Sequence, residues 1–328
     1  MSSFGDIILT TPVLRCLRQQ KPEAEIHFLI KKKYAAILEN NPYVDKFIYY
    51  ENNLSECISE LKAENYEIII DLHKNIRSFI IRSKLQIKAY SFPKLNLLKL
   101  LLVKLKINFL PHEHLIDRYF KAVRKLNVFN DHEGCDYLIL PDENLKAIDI
   151  SSQYGIQKFY VFAIGGTYFT KRMPAEKFTL IADKLNLPVV LLGGSNDRNN
   201  ADIIASNSIN RIINLCGQLS IRMSAAVLNL AEAVLTHDTG LMHIAAALDK
   251  KVISVWGNTV PDFGMTPYFA NKSEKVNQSE IIEVKGLKCR PCSKLGKSKC
   301  PKGHFNCMQL IDEEVVVNSL MRKTNDNK

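Results

Sequence analysis

Short apolar runs alternate with amphipathic stretches along most of the chain, and this alternation predicts strands and helices in turn. The run Ile68-Ile69-Ile70 is typical of a parallel strand that is buried on both faces. The first half predicts strands over 25–30, 46–50 and 66–71 and helices over 12–20, 34–40 and 54–64. The second half predicts strands over 159–164, 189–192, 233–236 and 252–256 and helices over 175–185, 220–229 and 240–248.

Strands that alternate with helices indicate parallel sheets covered by helices on both faces. The two series are separated at 141–154, so we expect an α/β protein with two Rossmann-like, doubly wound domains facing across a cleft. The segment 2–6 resembles the loop that follows a first strand, yet no strand precedes it. A doubly wound sheet places its first strand near the centre. We therefore expect that strand to lie upstream of this chain.

The charge of the chain gives information about its partners, because it is unevenly distributed over the 328 residues, whose net charge is +10. No acid lies between Asp71 and Glu113, where there are nine Lys and Arg residues, or between Glu283 and Asp312, where there are seven. These acid-free stretches indicate an anionic partner at two places, although a solvated basic face fits each stretch equally well. No apolar run reaches the roughly 18 residues of a spanning helix, and no secretory signal is present, so we expect a cytoplasmic protein.

Two turns carry candidate chemistry. Asp6, beside Gly5, lies at a strand-to-helix turn, where α/β folds bind ligands, although an Asp there more often caps a helix. Residues 236–243 lie between a strand and a helix, so the amides of Thr239, Gly240 and Leu241 could face a diphosphate at the positive end of the helix, with His243 as a further donor. The alternative is an ordinary capped turn.

Three more loops follow predicted strands. Thr167, Thr170 and Lys171 can hold phosphate oxygens, and Gly194 with Asp197 can approach a ribose or a base; a polar loop and a tight turn are the alternatives. Residues 71–78 place a carboxylate, an imidazole and two cations at one sheet edge, which suits an anionic, hydroxylated acceptor or a satisfied surface cluster. The chain lacks G-x-G-x-x-G and G-x-x-x-x-G-K-[ST] motifs, which argues against a dinucleotide oxidoreductase and a P-loop enzyme.

The leucine-rich segment 95–110 predicts either a helix packed across the domain or one that rests on an anionic membrane surface. The cysteines divide into two groups. Those at 16, 57, 135 and 216 are isolated and predict small buried side chains. The others have the spacing C-x2-C-x7-C-x6-C, which is compatible with a structural zinc site, with packed thiols, or with disulfides formed on oxidation: Cys289, Cys292, Cys300 and Cys307.

Five motifs together resemble the ADP-heptose:lipopolysaccharide heptosyltransferase family, glycosyltransferase family 9. They are SSFGDIILTTP from residue 2, DLHKNIRS from 71, TKRMP from 170, HDTGLMHIAAA from 237 and WGNTVP from 256. The resemblance extends from Met1 to about Asp312, and the tail CRPC…CPKGHFNCM resembles a cysteine pattern seen in many members. It implies the GT-B fold, with an acceptor domain over 1–150, a nucleotide-sugar domain over 151–310 and a terminal helix crossing back over 311–328.

The resemblance also implies inverting sugar transfer without a catalytic metal or other required cofactor. Asp6 would be the general base, and Lys171 would stabilise the departing diphosphate. Donor contacts are expected from Thr167, Thr170, Gly194, Asp197, Asp238, Thr239, Gly240, Leu241 and His243. Acceptor contacts are expected from Gly5, Thr10, Asp71, His73, Lys74, Arg77 and Arg118. One base and a stabilised leaving group are what an inverting transfer requires.

The implied partners are ADP-heptose and an anionic glycolipid acceptor of the lipopolysaccharide core or cell envelope. The protein would then be cytoplasmic, with contact at the cytoplasmic face of the inner membrane left open. Two alternatives remain at this point. One is an inactive or truncated member that binds an ADP-sugar. The other is a basic nucleic-acid-binding protein with a zinc-ribbon tail, which the lack of aromatic residues from 285 to 302 disfavours.

Overall fold

The computed structural model describes residues 3–322. The elements of the first half are α1 (Phe4–Ile8), α2 (Thr11–Gln20), β1 (His27–Lys31), β2 (Lys46–Tyr50), α3 (Leu54–Ala63), β3 (Ile68–Asp71), α4 (Ile76–Leu85), β4 (Lys88–Ser91), α5 (Asn96–Leu105), α6 (Leu115–Val123) and α7 (Pro141–Gln153). The elements of the second half are β5 (Tyr160–Ala163), α8 (Ala175–Asp183), β6 (Val189–Leu192), α9 (Arg198–Asn207), β7 (Ile212–Asn214), α10 (Ile221–Asn229), β8 (Ala233–His237), α11 (Gly240–Ala247), β9 (Val252–Trp256), α12 (Lys275–Gln278), β10 (Glu280–Glu283), α13 (Asn306–Gln309) and α14 (Glu313–Met321).

The second half contains a six-stranded parallel sheet with the order β10-β9-β8-β5-β6-β7. Every residue of β5, β6, β8 and β9 is buried. Alternate side chains along each strand enter opposite layers: Phe162 and Leu235 pack with α8 and α14, whereas Val161 and Val234 pack with α10 and α11. This is the doubly wound arrangement that the apolar runs predict.

The first half differs, because its strands form two separate parallel pairs, β1-β2 and β3-β4. No strand of residues 3–322 joins the two pairs. The residues of β3 before Asp71 are only half-buried, although their sequence predicts complete burial. The expectation of a further strand upstream stays a prediction.

Two local expectations are corrected. The segment beginning at Ser3 is not a loop but the short helix α1, whose N-cap is Ser3. The helix predicted over 34–40 is a 3-10 helix at Lys32–Ile37. Further 3-10 turns lie at Arg124–Leu126, Phe169–Lys171, Ser195–Asp197 and Pro261–Phe263.

The two halves are in direct contact. The Arg222 guanidinium on α10 donates to the carbonyl oxygens of Ala36 (3.0 Å) and Leu138 (3.2 Å) in the first half. The segment after β9 also contacts the first half, because the carbonyl oxygen of Gly264 accepts a hydrogen bond from the Leu115 amide on α6 at 2.6 Å. These contacts fix the two sides of the cleft relative to each other.

The described part of the terminal helix, α14, packs on the second half. Lys177 on α8 pairs with Glu313 at 2.5 Å, and the Lys251 ammonium donates to the carbonyl oxygen of Leu320 at 3.1 Å. The segment around Gly264 contacts the first half, the expected crossing by the terminal helix stays a prediction, and residues 323–328 of that helix lie outside the described residues. Among residues 3–322, no helix has the length and apolar character needed to traverse a bilayer.

Candidate active site

The candidate base, Asp6, lies in the first turn of α1 and is half-buried. The Ser3 hydroxyl donates to Asp6 Oδ2 at 2.7 Å, and Ser3 Oγ accepts from the Asp6 amide at 3.3 Å. Asp6 is therefore not the cap of its helix, because Ser3 has that role. This reciprocal pair holds the carboxylate in one place, as a general base requires.

Helix α1 packs directly against α11 in the second half. A Cβ atom at Gly240 would lie 2.8 Å from Cβ of Phe4, and one at Gly5 would lie 2.8 Å from Cδ2 of His243. Such distances are too short for real side chains, so both glycines are needed for the two helices to approach this closely. Gly5 therefore makes room for His243 in this structure, and its predicted contact with the acceptor stays a prediction.

The N-terminus of α11 is a candidate anion site. Thr239 is its N-cap, with extended backbone, but its side chain makes no capping hydrogen bond. The amides of the first helical turn, beginning with Gly240 and Leu241, then keep their donors for another acceptor. Because the positive end of the helix dipole lies at the same place, this turn suits a phosphate or diphosphate.

His243 is buried one turn further into α11, under α1. Burial lowers the pKa of its imidazole to about 3, with a smaller contribution from nearby positive charges, so the ring is neutral. Its Nδ1 atom has no hydrogen-bond partner in the described structure. The structure therefore gives His243 a packing role, and its predicted contact with the donor stays a prediction.

Lys171 and Asp238 form an ion pair at the edge of the cleft. The Lys171 ammonium donates to Asp238 Oδ2 at 2.6 Å and to the Asp238 carbonyl oxygen at 3.1 Å. The same Oδ2 accepts from the Thr259 hydroxyl at 2.9 Å. The two charged side chains are only 17% and 11% exposed. Thr259 was not singled out by the sequence, although it lies within the WGNTVP motif.

Several predicted donor residues already have partners. The carboxylate of Asp197 accepts from the Gly194 amide at 2.9 Å within its own loop and pairs with Arg172 at 3.2 Å, which ties that loop to the one before α8. Thr170 is buried, and its hydroxyl donates to the carbonyl oxygen of Lys297 (3.2 Å) and accepts from its amide (2.8 Å). Thr167 is exposed. The structure thus gives Asp197 and Thr170 structural contacts, and their binding roles stay predictions.

On the other side of the cleft, Asp71 is also engaged. Its buried carboxylate accepts from the amides of His73 (3.0 Å) and Lys74 (2.7 Å) and pairs with Arg82 at 3.2 Å. Burial lowers the pKa of His73 to about 4, although the neighbouring Asp6 and Asp71 charges oppose this shift. Asp71 therefore shapes the turn that carries His73, and its predicted contact with the acceptor stays a prediction.

The remaining predicted acceptor residues are scattered. Thr10 is completely buried, and its hydroxyl donates to the carbonyl oxygen of Ile7 at 2.7 Å. The Lys74 ammonium donates to the carbonyl oxygen of Phe92 at 3.1 Å, and the Arg77 guanidinium lies 5.5 Å from the ring centre of Tyr50. The acceptor contacts predicted for Thr10, Lys74 and Arg77 stay predictions.

A cationic group near Asp6 is the main feature that the sequence motifs missed. Burial, with repulsion from Arg118, Lys94 and Lys294, lowers the pKa of Lys99 to about 8, while Asp6 opposes the shift. Arg118 is buried and donates from Nη2 to the carbonyl oxygen of Phe263 at 2.7 Å. Its Nε and Nη1 atoms have no partner in the described structure. The two acid-free stretches hinted at the lysines of this group, and the family resemblance had already given Arg118 as an expected acceptor contact.

The four clustered cysteines line one small cavity together with Thr170, Arg290 and His304. Cys289 Sγ lies 3.9 Å from Nε2 of His304, and burial raises the pKa of the Cys307 thiol to about 11. Among residues 3–322, no three His, Cys, Asp or Glu side chains are grouped as ligands for a metal ion. The four isolated cysteines are buried, as predicted.

The fold and the sequence are similar to those of known enzymes. The model of glycosyltransferase family 9 (heptosyltransferase) matches residues 55–297. Lipopolysaccharide heptosyltransferase 1 of Campylobacter coli is 24% identical over 341 residues, which covers 97% of this chain and 95% of that protein.

Two solved structures have the same fold over nearly their whole length. A glycosyl transferase family 9 structure from Veillonella parvula aligns with a TM-score of 0.78 and 23% identity, covering 96% of this chain and 93% of that one. The E. coli ADP-heptose lps heptosyltransferase II aligns with a TM-score of 0.72 and 18% identity, covering 98% and 95%. Because the family model matches most of its length, the chain belongs to glycosyltransferase family 9 (heptosyltransferase) and is a glycosyltransferase of the GT-B fold.

Proposed function

We propose that the protein transfers heptose from ADP-heptose to an anionic acceptor of the lipopolysaccharide core, with inversion at the sugar C1 and without a catalytic metal. The donor and acceptor classes come from the names of the relatives, which include a lipopolysaccharide heptosyltransferase and an ADP-heptose lps heptosyltransferase. The observation that carries the proposal is the contact between α1, with Asp6, and the N-terminus of α11. It brings a candidate base and a candidate diphosphate site to the same point.

In this proposal, Asp6 takes the proton from the acceptor hydroxyl as that oxygen attacks C1 of the heptose. The bond between C1 and the diphosphate oxygen breaks on the opposite face, so the configuration inverts and ADP leaves. A single carboxylate suffices, unlike the pair that a glycosidase needs. The hydrogen bond from the Ser3 hydroxyl holds the Asp6 carboxylate in place while that carboxylate accepts the proton of the acceptor hydroxyl.

The leaving diphosphate gains negative charge, and the second half supplies the groups that stabilise it. The uncapped amides at the start of α11 donate to phosphate oxygens. The Lys171 ammonium has three N–H donors, of which two point to Asp238, so one is available for the diphosphate. Thr259 and Lys171 together hold Asp238 in position to contact the donor sugar.

The acceptor site would lie on the first half, over 1–150, and the nucleotide-sugar site on 151–310. The cationic group at Lys94, Lys99, Arg118 and Lys294 favours an acceptor that carries phosphate or carboxylate groups close to the reacting hydroxyl. Within this group, Arg118 is buried with two nitrogen atoms that lack partners in the described structure; this is costly, and a bound anion would remove that cost.

The test is the substitution Asp6→Asn in the full chain. We expect kcat for heptose transfer to fall by roughly 10³-fold, within the range for removal of a general base, because an amide cannot accept the proton. Binding of ADP-heptose, measured by calorimetry, should stay unchanged. Asp142→Asn is the control, since that exposed carboxylate on α7 pairs only with Lys146. Transfer by Asp6→Asn at the unsubstituted rate would contradict the proposal, and donor binding without transfer by the unsubstituted protein would indicate an inactive member.

Zinc ligation by Cys289, Cys292, Cys300 and Cys307 stays a prediction. Metal analysis of the purified protein checks it, with one zinc per chain as the expected result. If the metal is structural, removal by a chelator should lower the melting temperature and leave transfer by the remaining folded protein intact. Loss of transfer with no change in folding would instead contradict a metal-independent reaction.

A further inference from the structure

Arg290, which lines the cysteine cavity, also makes contacts that the candidate site does not include. Its side chain is only 7% exposed, and Nη2 pairs with Glu283 at 2.6 Å. Nη2 also donates to the carbonyl oxygen of Thr259 at 2.8 Å, and Nε donates to that of Gly257. Glu283 ends β10, and Gly257 follows the last residue of the neighbouring strand β9. Arg290 therefore ties the segment 257–259 to the end of the adjacent strand.

The segment 257–259 carries one of the two groups that hold Asp238. The Thr259 hydroxyl and the Lys171 ammonium donate to the same oxygen, Asp238 Oδ2, at 2.9 Å and 2.6 Å. Two donors that converge on one oxygen fix the direction of the carboxylate, whereas a single donor would let it rotate about that contact. The direction of Asp238 therefore depends on where the backbone places Thr259.

The same segment packs against the 3-10 turn that ends at Lys171. The amide of Asn258 donates to the carbonyl oxygen of Thr170 at 3.4 Å. A Cβ atom at Gly257 would lie 2.8 Å from that oxygen, so the two backbones approach as closely as a glycine allows. The backbone of the segment is therefore in contact with both this turn and the Arg290 guanidinium.

The chemistry of the Arg290 guanidinium suits a role within the protein better than contact with a substrate. Each of its nitrogen atoms donates to an oxygen of the protein, since Nη1 donates to the carbonyl oxygen of Val284 at 3.3 Å. Its charge lies against Glu283, so little of that charge is available to a diphosphate. A lysine could keep the pair with Glu283, but its single ammonium cannot bind the Gly257 and Thr259 carbonyls as the planar fork does.

We propose that Arg290 is a positioning residue for sugar transfer, because it fixes the backbone at 257–259 and so directs the Thr259 hydroxyl to Asp238. Asp238 and Lys171 then keep the geometry that the transition state requires, and a displacement of about 1 Å there can lower the rate by about 100-fold. The inference rests on the proposed function, since Asp238 and Lys171 have the roles assigned there. Arg290 itself acts through Thr259 and contacts neither substrate.

The experiment is a double-mutant cycle for heptose transfer by the full chain, with Arg290→Lys and Thr259→Val. Arg290→Lys alone should lower kcat at least about tenfold, because the fork that holds two carbonyls is lost. In the Thr259→Val background the same substitution should lower kcat less than about twofold further, since the hydroxyl that Arg290 positions is gone. Equal losses in both backgrounds would overturn the proposal, because Arg290 would then act through stability or by another route.

Arg15→Lys is the matched control. The Arg15 side chain is 6% exposed, pairs with Asp131 at 2.8 Å and donates to the carbonyl oxygen of Gly134 at 2.9 Å, all within the first half. Arg15→Lys should lower the melting temperature about as much as Arg290→Lys does, but it should leave kcat of the folded protein unchanged. A similar loss of kcat in both variants would also overturn the proposal, since any buried arginine would then have the same effect.

Hydrogen exchange distinguishes a failure of this inference from a failure of the proposed function. In Arg290→Lys, the amides of peptides that cover 256–260 should exchange faster than in the unsubstituted protein, whether or not heptose is transferred. Absence of transfer by the unsubstituted protein would contradict the proposed function, and faster exchange would still support the hold of Arg290 on this segment. Unchanged exchange, or faster exchange with an unchanged kcat, would overturn the inference.

Discussion

The second half of the molecule supports its own strands, whereas the first half depends on neighbouring elements. In the second half, β5, β6, β8 and β9 are covered by helices on both faces, and the loops at their carboxyl ends carry Lys171 and Asp238. In the first half, the strands form two separate pairs, and Asp6 lies on a five-residue helix. An isolated helix of that length is not stable, so its packing on α11 maintains it. The second half therefore positions Lys171 and Asp238 at the end of a sheet, whereas the first half positions Asp6 through the contact between α1 and α11.

The substitution Lys171→Ala is the strongest test of the proposal that the second half stabilises the leaving diphosphate. We expect kcat/KM to fall by about 10³-fold, equivalent to about 4 kcal/mol, because the leaving diphosphate loses a cation and Asp238 loses its partner. Steady-state kinetics with ADP-heptose measures this. Lys177→Ala is the matched control, since its ion pair with Glu313 is similarly buried but lies away from the cleft. Equal losses of activity in both variants would mean that the effect is only one of stability.

Two substitutions that shorten a strand side chain to Ala compare the packing of the two halves. Leu235→Ala in β8, whose side chain is completely buried, should lower the free energy of unfolding by about 3 kcal/mol. Ile69→Ala in β3 is half-buried and should cost only about 1 kcal/mol. Urea unfolding of both variants at one pH gives the two values. If Ile69→Ala costs as much as Leu235→Ala, the first half is better packed than its two strand pairs indicate.

A smaller effect, on the free energy of unfolding, is expected at acidic pH. His237 is buried at the end of β8, its Nε2 accepts from the Met173 amide at 3.0 Å, and burial lowers the pKa of its imidazole to about 4. The unfolded chain binds the proton first, near pH 6.5, so the stability due to the neutral ring is complete above pH 6.5 and is lost as the pH falls towards 4. Between pH 7 and pH 5 this amounts to about 2 kcal/mol.

The variant His237→Gln keeps an acceptor for Met173 but has no proton to bind. Its free energy of unfolding should therefore change less between pH 7 and pH 5 than that of the unsubstituted protein, by about the same 2 kcal/mol. His112→Gln, at an exposed position, should leave the pH dependence unchanged. An identical pH dependence in all three proteins would show that His237 is not the group that titrates.

The sequence predicts the second half well because buried parallel strands are uninterrupted apolar runs. The strands Val189–Leu192 and Val252–Trp256 match their predicted bounds. Helix α1 was missed because FGDII is too short to show a helical period, and its stability comes from α11, which lies more than 230 residues away in the chain. Local patterns carry no information about such a contact.

The same limit applies to the candidate site. The turn at 236–243 could be located from its motif because it follows the rule for ligand sites at strand ends, whereas Asp6 was located by its motif alone and lies on helix α1. The group formed by Lys99, Arg118 and Lys294 could not be located in this way, because the residues come from separate segments that only the folded chain brings together. The loop containing Asp197 suggested a contact with a ribose or a base; its carboxylate accepts from Gly194 and pairs with Arg172, and the contact with the donor stays a prediction.

The close approach of Gly5 to α11 has a consequence for fidelity. If Asp6 and the α11 amides have the proposed roles, neither half can activate the donor without the other. Any opening of the cleft that separates the two helices would carry the base away from the sugar. A donor bound to the open molecule would then be protected from hydrolysis, because no base lies close enough to activate a water molecule. The sugar would be transferred only when both halves are closed around an acceptor.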